Sequence, residues 1–358
     1  MDKILTIVIP TYNMEKYLRK CLDSLIIYDK DLFDKLEVLI VNDGSKDSSS
    51  AIAHEYQDNY PNVFRVIDKE NGNYGSCVNR GLKEANGKYI KILDADDSFE
   101  TINFEKFLTV IINVNVDCII SDMKQINENG ECKGYKRFNL PINNSFSIDE
   151  MGETEWRKMW MHCVCYKTEN ILKINYHQSE GISYTDQEWI CLPMATSKQL
   201  LYFPHVVYKY LVGREGQTIN TDIWENNFSQ EIEGLKVMIN EHRSTAIKCD
   251  LNVQYVDSRI VARSYTVYFA YFFKFQTYKN HNLMMQFDKY LKENHPLSYD
   301  KTQYLILGRF YNCPIVKGWR RNYVESSFTI RFYRYMEKTI TVLKKMFKSF
   351  LYGSYCSL

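Results

Sequence analysis

The chain has 358 residues, enough for one large domain with an appendage or about two domains of ~150 residues each. Its 45 Lys and Arg against 44 Asp and Glu leave a formal charge of +1, which excludes a broadly basic nucleic-acid binder and makes recognition a matter of local groups. Ten cysteines occur without a C-x-x-C pair, and the one tight group, His162-Cys163-Val164-Cys165, lacks the second pair a zinc site needs, so buried, reduced, structural thiols are expected.

Ile4 to Ile9 is a β-branched run ended by Pro10 and reads as a buried parallel strand. After the loop Thr11-Tyr12-Asn13, the residues Leu18, Cys21, Leu22 and Leu25 fall at helical spacing. Glu37 to Val41 repeats the strand pattern and ends in the turn Asn42-Asp43-Gly44-Ser45. Ser48 is expected to cap a helix over Ala51 to Tyr56, and Val63 to Ile67 gives a third strand. The glycine-rich stretch Asn71-Gly72-Asn73-Tyr74-Gly75 leads into a helix from Ser76 to Glu84, and Tyr89 to Leu93 is the fourth strand. Strands alternating with helices argue for an open, mostly parallel α/β sheet, in which ligands bind beyond the carboxyl ends of the strands. Four polar loops fall at those ends, and any one of them taken alone is ordinary turn chemistry.

The fourth of these loops, Asp94-Ala95-Asp96-Asp97, holds three carboxylates. If the strand stays extended, its period of two puts Asp94 and Asp96 on one side, where two hard oxygen donors suit Mn²⁺ or Mg²⁺ beside a diphosphate. The other reading is a helix cap by Asp97 or Ser98 ahead of Thr101. Further on, Phe104 to Ile112 is helical, Cys118 to Met123 is a strand, and Asn129-Gly130 signals a hairpin. Trp156, Trp160 and His162, with Arg214 later in the chain, are candidates for an acceptor pocket, a packed helix face being the alternative for the first three. Asp186 precedes a helix carrying Trp189 and is either a dipole-stabilised carboxylate or a general base. Leu200 to Phe203 and Val206 to Tyr210 return to strand.

These ordered pieces resemble the family 2 glycosyltransferases of GT-A fold, inverting enzymes that use nucleotide-diphosphate sugars. Ile7 to Asn13 is similar to the opening strand and loop, Val41 to Ser45 to the loop whose Asp contacts the base, Asn71 to Gly81 to the nucleotide-side helix, Leu93 to Asp97 to the D-x-D motif, and Thr185-Asp186 to the later E-D motif. The resemblance spans roughly residues 4 to 218 and implies a role for each site. Pro10, Thr11, Tyr12, Asn13 and Asp43 would hold the nucleobase, with Asn73, Gly75 and Asn79 on the nucleotide-side helix. Asp94 and Ala95 would lie at the ribose or metal shell, Asp96 with Asp94 at Mn²⁺ or Mg²⁺, and Asp186 would be the base. Two departures stand out. Cys77-Val78-Asn79 replaces Ala-Arg-Asn, which leaves Arg80 or Arg214 to supply an arginine, and Thr185 replaces the acid before Asp186.

The expected organisation is a GT-A domain over 1–220, with a nucleotide-sugar half 1–98 and an acceptor half 99–220, then a mainly helical domain over 221–358. A basic amphipathic stripe over 330–351 either lies on an anionic membrane or docks on its own domain. Met1-Asp2-Lys3 runs directly into strand pattern and no window reaches the ~18 apolar residues of a spanning helix, so a cytoplasmic protein, peripheral at most to the inner face of the cell membrane, is expected. The expected partners are a donor, UDP-sugar first, and a glycan, lipid-linked or protein-linked acceptor. The rival reading is a catalytically silent nucleotide- or glycan-binding module that regulates or scaffolds a partner.

Overall fold

The computed structural model describes residues 3–214, 216–217, 220–275, 280–307, 311–323, 331–336 and 338–339. Most of the stripe expected over 330–351 therefore lies outside the described residues. Two compact units are present, one of Met1–Asn220 with Lys236–Ser258 and the other of Thr221–Leu235 with Arg259–Leu358.

The first unit is built on one sheet. Strands β1 (Leu5–Thr11) and β2 (Leu36–Asn42) are buried at every position, mostly apolar as strands covered on both faces must be, and the buried pair Thr6 and Glu37 is satisfied by a bond from Thr6 Oγ1 to Glu37 Oε2 at 2.6 Å. Between them, helix α1 (Glu15–Asp23) buries Leu18, Cys21 and Leu22 and is followed by the short α2 (Lys30–Phe33). Helix α3 (Ser49–Asn59) begins after Ser48, whose side chain does not cap it. Asp47 takes that part, accepting from Ser49 N at 3.0 Å. After β3 (Phe64–Asp68), helix α4 (Asn73–Glu84) lies so close to β1 that a Cβ on Gly81 would sit 2.4 Å from Val8 Cγ1. β4 (Tyr89–Ile92) then pairs with β1, and β3, β2, β1 and β4 run parallel in that spatial order.

From there the sheet becomes mixed. It continues β8, β6, β9, β5 beyond β4, with β7 paired to β6. Those strands are β5 (Ser98–Phe99), β6 (Cys118–Ile126), β7 (Cys132–Lys136), β8 (Val164–Lys167) and β9 (Leu200–Leu211), with α5 (Thr101–Ile112) and α6 (Ile148–Trp156) between them. The short helices α7 (Thr168–Lys173) and α8 (Asp186–Trp189) separate β8 from β9. β8 is antiparallel to both β4 and β6, so β4 and β6 run in one direction, and β9 pairs parallel to β6. The expected hairpin forms, with Gly130 at φ 80°. The two short strands expected over 200–210 are one strand with register shifts opposite Ser121 and Asp122. Pro204 has no N–H to offer the ladder, so the strand bulges there instead of ending.

Among the described cysteines none is bridged, and Cys132 and Cys249 are exposed where buried thiols were expected. No helix among the described residues is long and apolar enough to cross a membrane. The second unit is mainly helical and closes around a buried carboxylate: Asp288 Oδ1 accepts from Arg320 Nε at 2.7 Å and from the Tyr268 hydroxyl, and its Oδ2 from Tyr323 at 3.0 Å. A buried charge bonded this fully is tolerated where a lone one is not.

Candidate active site

The carboxyl ends of β1, β2 and β4 open into a cleft of about 580 Å³, walled in part by Pro10, Thr11, Tyr12, Asp43 and the run Asp94-Ala95-Asp96. Asp43 is 3 % exposed and acts as a clamp. Its Oδ1 accepts from Lys69 Nζ at 2.5 Å and Gly72 N at 2.9 Å, and its Oδ2 accepts from Asn73 N at 2.9 Å. These bonds hold Asn73 at φ 71°, a left-handed conformation that asparagine adopts more readily than most residues. Asn73 thereby reaches the cleft, and Tyr74 behind it donates its hydroxyl to Asp94 Oδ1 at 2.7 Å.

Three residues expected at the ligand are bonded or packed into the frame around the cleft. Asn13, at φ 53°, accepts from Lys46 N at 2.8 Å and donates its own N–H to Ser45 Oγ at 3.0 Å, which ties the loop after β1 to the loop after β2. Gly75 lies inside α4, where a Cβ would come within 1.9 Å of Ser179 O. Asn79 turns the opposite way and donates to Gln178 O and Glu180 Oε1, both at 2.8 Å. Helix periodicity moves Asn79 off the face that Asn73 and Tyr74 share.

The acidic run does not continue the strand. β4 stops at Ile92, and Asp97 N donates to Asp94 O at 2.9 Å, closing a turn around Ala95-Asp96. The turn separates the carboxylates that an extended strand would have aligned. Asp96 Oδ2 accepts from Arg214 Nε, while Asp97 turns inward and accepts from the Tyr208 hydroxyl at 2.7 Å and Leu211 N at 2.6 Å. It therefore caps no helix. Asp94 faces His162, whose Nε2 lies 3.7 Å from Asp94 Oδ2. Among the described residues Asp94, Asp97 and His162 each offer a ligand atom within 4.8 Å of the others, a cluster that shares Asp94 with the expected pair and does not include Asp96.

Burial pushes the Asp97 carboxyl well above its usual range, and the Asp96 and Asp94 charges add to the rise. Burial and then Asp94 raise Asp96 as well, against the pull of Arg214. Crowded carboxylates of this kind are relieved by a cation, and two carboxylates with an imidazole are a donor set that Mn²⁺ accepts.

His162 owes its place to a buried lysine. Lys91 on β4, without solvent exposure, donates to His162 O at 2.7 Å and Val164 O at 3.0 Å, and burial lowers its pKa. The rings of Tyr208 and Tyr210 flank the imidazole at 4.7 Å each. Trp160 stands 6.1 Å from Tyr210, which lines the cleft, with Lys136 Nζ 3.7 Å above its ring. Trp156 belongs to the core: its indole donates to Ile148 O at 2.9 Å and its ring packs edge-on against Tyr255. Of the two arginines expected to stand in for the missing one, Arg214 lines the cleft, whereas exposed Arg80 pairs with Glu84 on its own helix.

Asp186 opens α8, half-buried, and its Oδ2 accepts from Gln187 Nε2 at 2.8 Å. The preceding Tyr184 is held at φ 64°, a conformation costly for a bulky residue and frequent near functional groups. Thr185 is locked in the core, its hydroxyl accepting from Gln178 Nε2 at 2.8 Å. Tyr74 and Tyr210 are raised above the usual phenol range, first by burial and in part by the charge on Asp186, which sets that carboxylate within electrostatic reach of the cleft.

A sequence profile of the glycosyl transferase family 2 matches residues 6–169. The chain is 30% identical over 216 residues to the uncharacterized glycosyltransferase YibD of Escherichia coli, covering 58% of this chain and 60% of YibD. It is 41% identical over 120 residues to the uncharacterized glycosyltransferase MG025 homolog of Mycoplasma pneumoniae, covering 33% of this chain and 38% of the homolog. The matches thus span less than two thirds of either relative. Among solved structures, S. aureus TarS 1–349 superposes with a TM-score of 0.64 at 17% identity, covering 94% of this chain and 90% of TarS. TarS has also been solved in complex with UDP and with UDP-GlcNAc. At that identity the likeness establishes the fold, and it is the GT-A fold.

Proposed function

Because residues 6–169 match the profile of the glycosyl transferase family 2, we propose that the chain transfers a sugar from a nucleoside-diphosphate sugar to an acceptor hydroxyl, with inversion at the anomeric carbon. The observation that carries the reading is one cleft in which Asp43, Asp94, Asp96 and Arg214 converge at the carboxyl ends of the strands. In open α/β sheets that edge is where nucleotides bind.

In this reading Asp43 and the clamped Asn71–Asn73 turn meet the nucleobase, with Tyr12, 45 % exposed, beside them to stack on it. The complexes of TarS make a UDP-sugar the first donor to test. Asp94, Asp97 and His162 would hold Mn²⁺ or Mg²⁺, the imidazole favouring Mn²⁺. Once bound, such an ion would neutralise charge on the departing diphosphate. Arg214, released from Asp96, adds a cation on the same side. The acceptor oxygen attacks the anomeric carbon from the face opposite the diphosphate, the bond from that carbon to the diphosphate oxygen breaks, and Asp186 takes the hydroxyl proton. Half-buried Asp186 then returns the proton to solvent.

The acceptor is a glycan, lipid-linked or protein-linked hydroxyl in the assembly of a cell-surface polysaccharide or another glycan. Residues 1–220 carry the transfer, and the helical remainder assists it, by peripheral contact with the inner membrane face through 330–351 in one form of the proposal. Thermal shift with UDP-, GDP- and dTDP-sugars, with and without Mn²⁺, identifies the donor, because a ligand bound to the folded state raises its stability by mass action. Release of UDP from the preferred donor then tests transfer. A donor that binds and is never turned over, with any acceptor tried, supports the catalytically silent module instead.

A further inference from the structure

Helix α8 carries a second carboxyl, Glu188, two residues beyond Asp186. Two residues turn a helix by about 200°, so the pair faces opposite sides. Asp186 is half-buried, and Glu188 is 1 % exposed. Glu188 Oε2 accepts from Ser179 N at 3.0 Å, and Oε1 is buried without a hydrogen-bond partner among the described residues. Ser179 is also the residue whose carbonyl presses on Gly75 of α4, so Glu188 links the turn that bears Asp186 to the helix that bears Tyr74.

The groups around Glu188 do not neutralise it. Asp186 comes from its own helix and Glu241 from the helical turn Met238–His242, and both repel its charge. Tyr176 lies within electrostatic reach of it and is raised above the phenol range, first by burial. His242, packed 6.1 Å from the Tyr176 ring, is kept neutral by burial, its pKa lowered to about 4. No ion pair to Glu188 occurs among the described residues. Burial first, then Glu241 and Asp186, push its pKa up to about 7, against the bonds from Ser179.

We propose that Glu188 is a positioning residue for Asp186, anchoring the segment before it through Ser179 and setting, by its own charge, how strongly Asp186 draws the acceptor proton. The proposal rests on Asp186 being the base. Protonated Glu188 keeps the bond to Ser179 and leaves Asp186 without a repelling neighbour. Ionised Glu188 repels the Asp186 carboxylate, and the arrival of a proton on Asp186 removes that repulsion. Proton transfer is therefore faster on the alkaline side of the Glu188 titration.

The test is the pH profile of UDP release from UDP-GlcNAc with Mn²⁺ between pH 5.5 and 9. In the wild type the rate rises severalfold through a limb near pH 7, because Asp186 is one of the charges coupled to Glu188 and not the largest. Glu188→Gln keeps the acceptor for Ser179 N and shows a flat profile at the acid-side rate, with donor affinity unchanged. A wild-type limb retained in Glu188→Gln overturns the proposal. Carbon NMR titration of the Glu188 carboxyl decides the matter without turnover. A midpoint near 7 that falls in Asp186→Asn supports the coupling, and a midpoint indifferent to that substitution refutes it. Full turnover in Asp186→Asn, or none in the wild type, instead overturns the assignment of the base or of the activity, and the NMR titration still stands as the measure of coupling.

Discussion

On the β1–β4 side of the cleft, Asp43, Asn73 and Tyr74 follow their strands by a few residues and are held by backbone N–H groups and one lysine. On the β6–β9 side, His162, Tyr208 and Arg214 come from segments far apart in the chain, brought to the acidic turn by the buried polar residues Lys91 and Asp97. A parallel βα unit delivers its loop to the sheet edge by geometry alone, so the first side needs little more than good turns. The second side depends on an antiparallel insertion and a bulge, and Lys91 and Asp97 are tolerated there because each is buried with two hydrogen bonds.

If the sides differ in this way, perturbing each should leave a separate signature. The largest effect is expected from Asp186→Asn, with turnover down roughly 10²–10⁴-fold, the usual scale for a lost general base, and donor affinity by calorimetry unchanged. A matching loss of donor affinity would dissolve the division. Acid is next. The pKa of buried His242 falls from 6.5 unfolded to about 4 folded, so the folded state binds fewer protons, and its contribution is present above pH 6.5 and lost as pH falls toward 4. The loss amounts to about 3 kcal/mol in urea melts, and His242→Gln should flatten that slope.

Gly75→Ala should cost about 1–3 kcal/mol, because its Cβ would meet a backbone carbonyl that cannot step aside. Gly81→Ala meets only the Val8 side chain and should cost less in the same melts. The reverse order would mean that the contact between α4 and Ser179 is the softer one. Tyr74→Phe, the mildest change, removes one hydrogen bond to Asp94 and should lower stability in the same melts by about 1 kcal/mol.

Reading the residues in order recovers much of the first side. The apolar runs ending in Pro10, Asn42 and Leu93 have the right period and length, and Asp43 and Asp94 stand where loops of a parallel sheet must meet a ligand. Tyr74 escaped notice because an aromatic in a glycine-rich turn has no chemical signature until a carboxylate is beside it. Asp97 escaped because its role depends on Leu211, more than a hundred residues away. Trp156 and Trp160 have similar sequence surroundings, yet one packs against Tyr255 and the other stands behind Tyr210. Glu188 looks like any helical glutamate until burial is known.

The sequence by itself determined the strand pattern, the polar loops at the strand ends and the profile match over residues 6–169, because periodicity and turn chemistry act over a few residues. Tertiary structure alone decided which carboxylates meet. A turn at Ala95-Asp96 swung Asp96 to Arg214, and the pairing of β4 with β8 brought His162 to Asp94 and Asp97. Side chains separated by dozens of residues are placed by sheet register and burial, which no local window contains.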